Sequence, residues 1–111
     1  MKQLSSCRIQ MAIFAASLFL LGVSPVRAQN EAEKTYKMKC VACHAADGSG
    51  SEVGKKMGTH DFHSSQVQSE SEADLTQIIA KGKNKMPPYE KSLKPDEIKA
   101  LAAYVHELAK K

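Results

Sequence analysis

Two cysteines and a histidine near the middle of the chain constrain its fold more than any other feature. Cys40 and Cys43 are separated by two residues, and His44 follows them directly. Two thiols at this spacing can each add to one of the two vinyl groups on a haem edge. The next residue is then held under the iron, where a neutral imidazole is a good axial ligand. The motif therefore predicts a covalently attached haem, with His44 on the iron.

Zinc sites and redox-active dithiols also contain two cysteines at this spacing, so each is an alternative to a haem site. Cys40, Cys43, His60 and His63 are the residue types of a two-Cys, two-His zinc set. Their spacing lies outside the usual zinc-finger pattern, because only two residues separate the histidines. A thioredoxin-like dithiol is disfavoured because no βαβ pattern surrounds the cysteines.

The N-terminal segment is typical of a cleaved secretory signal. Lys2 and Arg8 precede a continuous run of apolar and small residues from Met11 to Val23. That run is shorter than the roughly 20 residues needed to span a bilayer. Val26-Arg27-Ala28 fits the small-x-Ala cleavage pattern. We expect residues 1–28 to be removed and residues 29–111 to form one domain exported to the periplasm.

Removal of the signal changes both the cysteine count and the charge. Cys7 is lost with it, and the remaining two cysteines are too close in sequence for a structural disulfide framework. Basic residues then exceed acidic ones by only one, so the pI near 9.0 does not indicate nucleic-acid binding. A chain this short, with no tryptophan, buries little apolar surface. A tethered haem would supply both core and cross-link.

Apolar periodicity and helix-end signals predict an all-α domain with no strand. A first helix is expected over residues 30–39, with Asn30 as its N-cap. A second is expected after Ser71, ending at Gly82, with an apolar stripe at i, i+3 and i+4. A third begins at Pro95 and runs to about Ala109. The apolar positions of the last two helices are Leu75, Ile78, Ile79, Ile98, Leu101, Ala102, Val105, Leu108 and Ala109.

The segment from residue 45 to residue 71 lacks a helical pattern and is rich in glycine and serine. A loop this long in a small domain usually has a functional reason. Wrapping a flat cofactor is one such reason, and we expect Val53, Met57 and Phe62 to be its contacts.

Met86 is the first candidate for the second iron ligand. Pro87 and Pro88 follow it and stiffen the chain, which holds the thioether in place. His60 or His63 is an alternative ligand and would make a bis-histidine site. A weak or absent distal ligand would instead leave an open haem, suited to a sensor or an enzyme.

These features together resemble the class I cytochromes c of the small bacterial, single-haem kind. The resemblance covers essentially the whole mature chain and includes Tyr36 before the cysteine motif and Lys85-Met86-Pro87-Pro88-Tyr89. It implies three to four helices around one haem, with the first and last helices crossing. The expected crossing residues are Ala32, Tyr36, Leu101 and Tyr104.

The resemblance also implies the site and its function. It implies thioether bonds at Cys40 and Cys43, with His44 as proximal and Met86 as distal ligand of the iron of one haem c. A six-coordinate iron has no open position, so a monomeric periplasmic electron carrier is expected and an enzyme is not. Redox partners would dock at the exposed haem edge. A subunit of a larger oxidoreductase is the alternative to a free carrier.

A cluster of lysines around Met86 would draw an acidic partner to this edge. Its members are Lys81, Lys83, Lys85 and Lys91.

Two positions depart from the family pattern. A proline usually follows the attachment motif, and its carbonyl accepts a hydrogen bond from the proximal histidine. Here no proline lies between His44 and Met86, and Glu52-Val53-Gly54 occupies the expected place. Lys94 stands where the last helix would usually have a Ser, Thr or Asp cap.

Overall fold

The protein folds into helices, as the sequence predicts. The computed structural model describes Gly22 and residues 24–111, so most of the predicted signal, including Lys2, Cys7 and Arg8, lies outside the described residues. Within those residues the only β-type pairing is an isolated bridge between Lys83 and Met86. The helices are α1 (Pro25–Lys39), α2 (Val41–His44), α3 (Glu52–Lys56), α4 (Ser65–Gln68), α5 (Glu72–Lys81) and α6 (Pro95–Leu108).

The first helix begins earlier than predicted. Pro25 occupies its first turn and Ser24 precedes it, so Asn30 lies inside the helix and its prediction as N-cap is wrong. Proline suits a helix start because its φ is already helical and its missing N–H is not needed there. The predicted cleavage point after Ala28 falls within this helix.

Helix α1 packs against α6, which confirms the expected crossing. Ala32, Tyr36 and Leu101 are each at most 3% exposed at this contact. The rings of Tyr36 and Tyr104 lie 5.3 Å apart, centroid to centroid. The small side chain of Ala32 lets the two helices come close together. Helix α5 packs on α6 as well, so α6 supports both of the other long helices.

The ends of α5 and α6 follow the local signals in the sequence. Ser71 and Asp74 form a reciprocal capping box at the start of α5, and Gly82 ends the helix with a φ of +76°. Pro95 opens α6. Lys94 has no capping side chain, but its backbone N–H donates to the carboxylate of Glu97 at 2.7 Å.

The segment between α2 and α5 contains two short helices that the sequence did not predict. Ser51 Oγ accepts a hydrogen bond from Gly54 N at 3.0 Å and caps α3. Ser64 Oγ does the same for α4, accepting from Val67 N at 3.4 Å. Serines that suggested a loop are therefore helix caps, a role for which serine is equally well suited.

Candidate haem site

All four candidate site residues line one pocket. Cys40, Cys43 and His44 contribute one side of it, and Met86 reaches it from the segment after α5. The wall between them is largely apolar and comes mainly from α5 and α6. Its aliphatic members are Leu75, Ile78, Ile79, Leu93, Leu101 and Val105.

The two cysteines carry free, half-buried thiols. Burial raises the pKa of Cys40, so its thiol is neutral at physiological pH. Because both thiols line the pocket and are not joined in a disulfide, each is available to bond a group held within it. This arrangement suits attachment of a planar cofactor at two points.

His44 ends α2 and lines the same pocket. Burial lowers the pKa of its imidazole, so the ring is neutral near pH 7 and keeps a lone pair for a metal. The ring of Phe62 packs against it with centroids 4.9 Å apart and planes 31° apart. Phe62 is itself buried and its ring lies against Gly48, where a side chain would collide with it.

Hydrogen bonds to its backbone carbonyl groups hold the turn that carries the cysteine motif. Four consecutive carbonyls, from residue 42 to residue 45, each accept a hydrogen bond from outside the turn. The donors are Ser51 Oγ to Ala42 O (2.6 Å), Ser51 N to Cys43 O (2.9 Å), Gly50 N to His44 O (3.0 Å) and Tyr36 Oη to Ala45 O (2.7 Å). Ser51 was not among the residues predicted from the sequence, because its position nine residues after Ala42 gives no signal of this contact.

Met86 is presented by a tight turn. Met86 N donates to Lys83 O at 2.9 Å, and Lys83 N donates to Met86 O at 3.1 Å. Asn84 adopts a φ of +53° within the turn, a conformation that asparagine tolerates better than most residues. Pro87 follows and also lines the pocket. The half-buried Met86 side chain is thus placed by backbone geometry on both flanks.

The structure places some of the other predicted haem contacts and ligands in the pocket and others outside it. Met57 and Phe62 line the pocket as expected, whereas Val53 is 61% exposed and lies outside it, so its prediction as a contact is wrong. His60 lines the pocket. His63 does not, and its Nδ1 lies 2.7 Å from the carboxylate of Asp61.

The zinc alternative finds no support in the geometry. In the part of the chain that the structure describes, no three His, Cys, Asp or Glu side chains converge as metal ligands. The pocket instead combines two free thiols, a neutral imidazole and a thioether with an apolar wall. That donor set fits a haem, whose porphyrin is flat and apolar and whose iron accepts nitrogen and sulfur ligands.

None of the helices described in the structure has the length and apolar character required to cross a membrane.

Comparison with known proteins agrees with a haem site in this pocket. Residues 27–105 match a family model described as cytochrome c oxidase, cbb3-type, subunit III. The chain is 38% identical over 78 residues to the cbb3-type cytochrome c oxidase subunit FixP of Bradyrhizobium diazoefficiens, a match that covers 68% of this chain. It is 32% identical over 99 residues to cytochrome c6 of a Nostoc species, covering 80% of this chain.

The two relatives differ in how much of their length is shared. The match spans 26% of FixP but 87% of cytochrome c6. Among solved structures, the KustC0563 c-type cytochrome superposes with a TM-score of 0.65 at 29% identity, covering 69% of this chain and 95% of that one.

Proposed function

The chain belongs to the class I c-type cytochromes, and from that premise we propose that it is a periplasmic single-electron carrier with His44 and Met86 as its iron ligands. Family membership establishes a covalently attached c-type haem with iron, and a role in haem-based electron transfer. When bound, the haem supplies a one-electron ferric–ferrous couple. The observation that carries the proposal is the single pocket lined by Cys40, Cys43, His44 and Met86.

Each of these residues has a distinct part in the proposal. The thiols of Cys40 and Cys43 form the thioether bonds that hold the cofactor at one edge. His44 supplies a neutral imidazole, as its lowered pKa favours. Met86 supplies a thioether, which with the apolar wall favours the ferrous state and raises the reduction potential. With both axial positions filled, no position is left for a substrate, which favours a carrier over an enzyme.

Ligation by Met86 can be tested against a matched control, because Met57 lines the same pocket. The oxidised holoprotein is expected to show the weak far-red band of sulfur-to-iron charge transfer. Met86→Ala should abolish that band, and Met57→Ala should leave it. Loss of the band in Met57→Ala alone would assign the ligand to Met57. A wild-type spectrum without the band would point to His60 or to an open site.

The exposed lysines that line the pocket, called here its basic rim, outnumber the one acidic residue of the lining, Glu70, and support docking of an acidic partner. Lys39, Lys83 and Lys85 are exposed and line the pocket. Lys39 comes from the end of α1 and was absent from the predicted cluster. Lys81 was in that cluster, but its ammonium lies 2.6 Å from Glu90, which offsets its charge. Clustered positive charge at one opening raises the association rate with anions, most strongly at low salt.

The rim can be tested with ferricyanide as an anionic oxidant of the reduced holoprotein. Changing Lys39, Lys83 and Lys85 together to Gln should slow oxidation several-fold at low ionic strength and reduce its salt dependence. The control changes the same number of exposed lysines away from the pocket, Lys34, Lys94 and Lys99. Equal slowing in both triple variants would show that net charge alone acts, and would refute the steering role.

A haem-bearing subunit of a larger oxidoreductase is the second candidate, favoured by the match to FixP. The two functions predict different behaviour of the native protein. A free carrier should be recovered from the periplasmic fraction as a monomer whose N-terminus lies at Gln29. A subunit should remain with the membrane fraction and migrate with a large complex. Cell fractionation, with mass spectrometry of the N-terminus, tests both the function and the predicted domain boundary.

A further inference from the structure

The imidazole of His44 lacks the partner that would usually orient it. Its Nδ1 atom is buried and has no hydrogen-bond partner among the described residues. The proline carbonyl expected from the family pattern is missing, and the segment that occupies its place is α3. The ring must therefore be held in some other way if it is to ligate iron in one fixed orientation.

Helix α3 instead contacts the main chain on which His44 is carried. Ser51 makes two hydrogen bonds to it: its Oγ donates to Ala42 O and its N–H donates to Cys43 O. The same Oγ accepts from Gly54 N and caps α3. The residue before Ser51, Gly50, donates to the carbonyl of His44 itself. A single serine thus joins the start of α3 to two consecutive carbonyls of the attachment turn.

Gly54 lets the two backbones meet. A Cβ at this position would lie 1.9 Å from Cys43 O, so any side chain would force α3 away from the turn. Gly54 is buried and its φ is not positive, so the close approach, and not an unusual backbone conformation, requires glycine here. The imidazole ring of His44 itself packs against the apolar ring of Phe62.

We propose that Ser51 is a positioning residue for His44, which fixes the imidazole through the main chain of the attachment turn in place of an acceptor on Nδ1. The proposal rests on ligation of the iron by His44. In this arrangement the ring would hold the iron through Nε2 and would carry its proton on Nδ1, which is buried and has no acceptor among the described residues. Its orientation then depends on how firmly residues 42–45 are held, and Ser51 holds two of those four carbonyls.

The test compares two serine caps of the same kind. Ser51→Ala removes the hydroxyl that caps α3 and bonds Ala42 O, whereas Ser64→Ala removes the hydroxyl that caps α4. In the holoprotein, Ser51→Ala should shift the midpoint potential and the ring-proton resonances of His44, and Ser64→Ala should leave both at their wild-type values. Ser51→Thr keeps a hydroxyl and should restore the wild-type values. Equal effects of the two alanine variants, or no effect of Ser51→Ala, would overturn the proposal.

A second measurement needs no variant and covers the case in which Ser51→Ala does not fold. In the reduced wild-type holoprotein labelled with ¹⁵N-histidine, the Nδ1 resonance of His44 should have the shift of a protonated nitrogen without a hydrogen-bond acceptor. A strongly hydrogen-bonded Nδ1 proton, or an unprotonated Nδ1 on the iron, would refute it. Ligation itself is read separately, because the His44 ring protons show large haem ring-current shifts only when the ring lies on the iron.

Discussion

The two sides of the pocket are built very differently. The attachment side, residues 36–62, holds His44 on a turn whose four consecutive carbonyls are all bonded from outside. The methionine side, residues 82–93, places Met86 through one reciprocal pair of backbone bonds with Lys83. Two backbone hydrogen bonds join it to α5, from Tyr89 N to Ile79 O and from Glu90 N to Ala80 O, and both measure 3.1 Å. The two proposed ligands therefore differ in how firmly the chain holds them.

This difference indicates which ligand yields first. Segments with few backbone bonds and exposed side chains open locally at a lower free-energy cost than densely bonded ones. Most of residues 82–93 are exposed and Leu93 alone among them is buried, whereas the attachment side includes the buried Tyr36, Gly54 and Phe62. We expect the Met86 bond to be lost before His44 is displaced.

The strongest test of this comparison is a glycine on the attachment side. Gly54→Ala places a methyl group 1.9 Å from Cys43 O. Alanine in place of glycine usually stabilises a helix by about 0.5 to 1 kcal/mol, so a loss of stability in Gly54→Ala would indicate the clash. We expect the free energy of unfolding in a urea titration to fall by about 3 kcal/mol. Gly58→Ala is the control: its Cβ meets nothing within 4 Å, and its φ of +87° should cost only about 1 kcal/mol. A stabilised Gly54→Ala protein would show that α3 does not press on the turn.

The corresponding position on the methionine side is Gly82. A Cβ here would lie 2.6 Å from Met86 O and 2.9 Å from Pro88 N, on a backbone with φ of +76°. We expect Gly82→Ala to cost about 2 kcal/mol, because the exposed turn can move aside in part. That movement should displace Met86 and weaken the far-red band, while the cofactor stays attached. An unchanged band together with a stability loss as large as that of Gly54→Ala would show that the two sides are equally rigid.

A smaller effect is expected from one hydroxyl on each side. Tyr36→Phe removes the 2.7 Å bond to Ala45 O and keeps the buried ring, which should cost about 1 kcal/mol of unfolding free energy. Tyr89→Phe removes a long, exposed contact of 3.4 Å with Lys39 O and should change stability by less than about 0.5 kcal/mol. Urea titrations of both variants provide the comparison. A larger loss for Tyr89→Phe than for Tyr36→Phe would reverse the proposed order of the two sides.

The smallest expected effect is a pH dependence carried by the attachment side. Hydrogen bonds from Ser49 hold the pKa of Asp47 below its usual range, and those from His63 do the same for Asp61. A carboxyl with a lowered folded-state pKa stabilises the protein above its ordinary pKa, about 4, and that stability is lost as the pH falls further. Thermal midpoints should therefore decline below about pH 4. Combining Asp47→Asn with Asp61→Asn should make that decline less steep without removing it, because the pKa values of Glu33, Asp74 and Glu107 are lowered as well. An unchanged slope in the double variant would assign it to other groups.

The sequence predicted the long helices well where their end signals are local. Ser71 and Gly82 bound α5, and Pro95 opens α6, because capping depends on residues within one turn of the helix end. The start of α1 was missed because residues 25–28 were assigned to the cleaved signal, whereas the helix begins at Pro25. The short helices α3 and α4 were missed because serine and glycine are as common in loops as at helix caps.

The sequence predicted which side chains would gather at one pocket, but not the hydrogen bonds that hold their backbone in place. Cys40, Cys43, His44 and Met86 were all proposed from the sequence, and the structure brings them to one pocket. The bonds from Ser51 and the place of Lys39 at the rim depend on how separate elements approach each other. No spacing rule encodes such an approach, so they became visible only in three dimensions.

The hydrogen bonds to the four carbonyls are also short in sequence, and this bears on the order of folding. None joins residues more than nine positions apart. Short loops close at little entropic cost, so the chain from Tyr36 to Gly54 can take its shape before α5 and α6 have formed. The methionine side depends on α5 for its position and must come later. We therefore expect the residues of the attachment turn to take their shape early, and the methionine side to join them once α5 has formed.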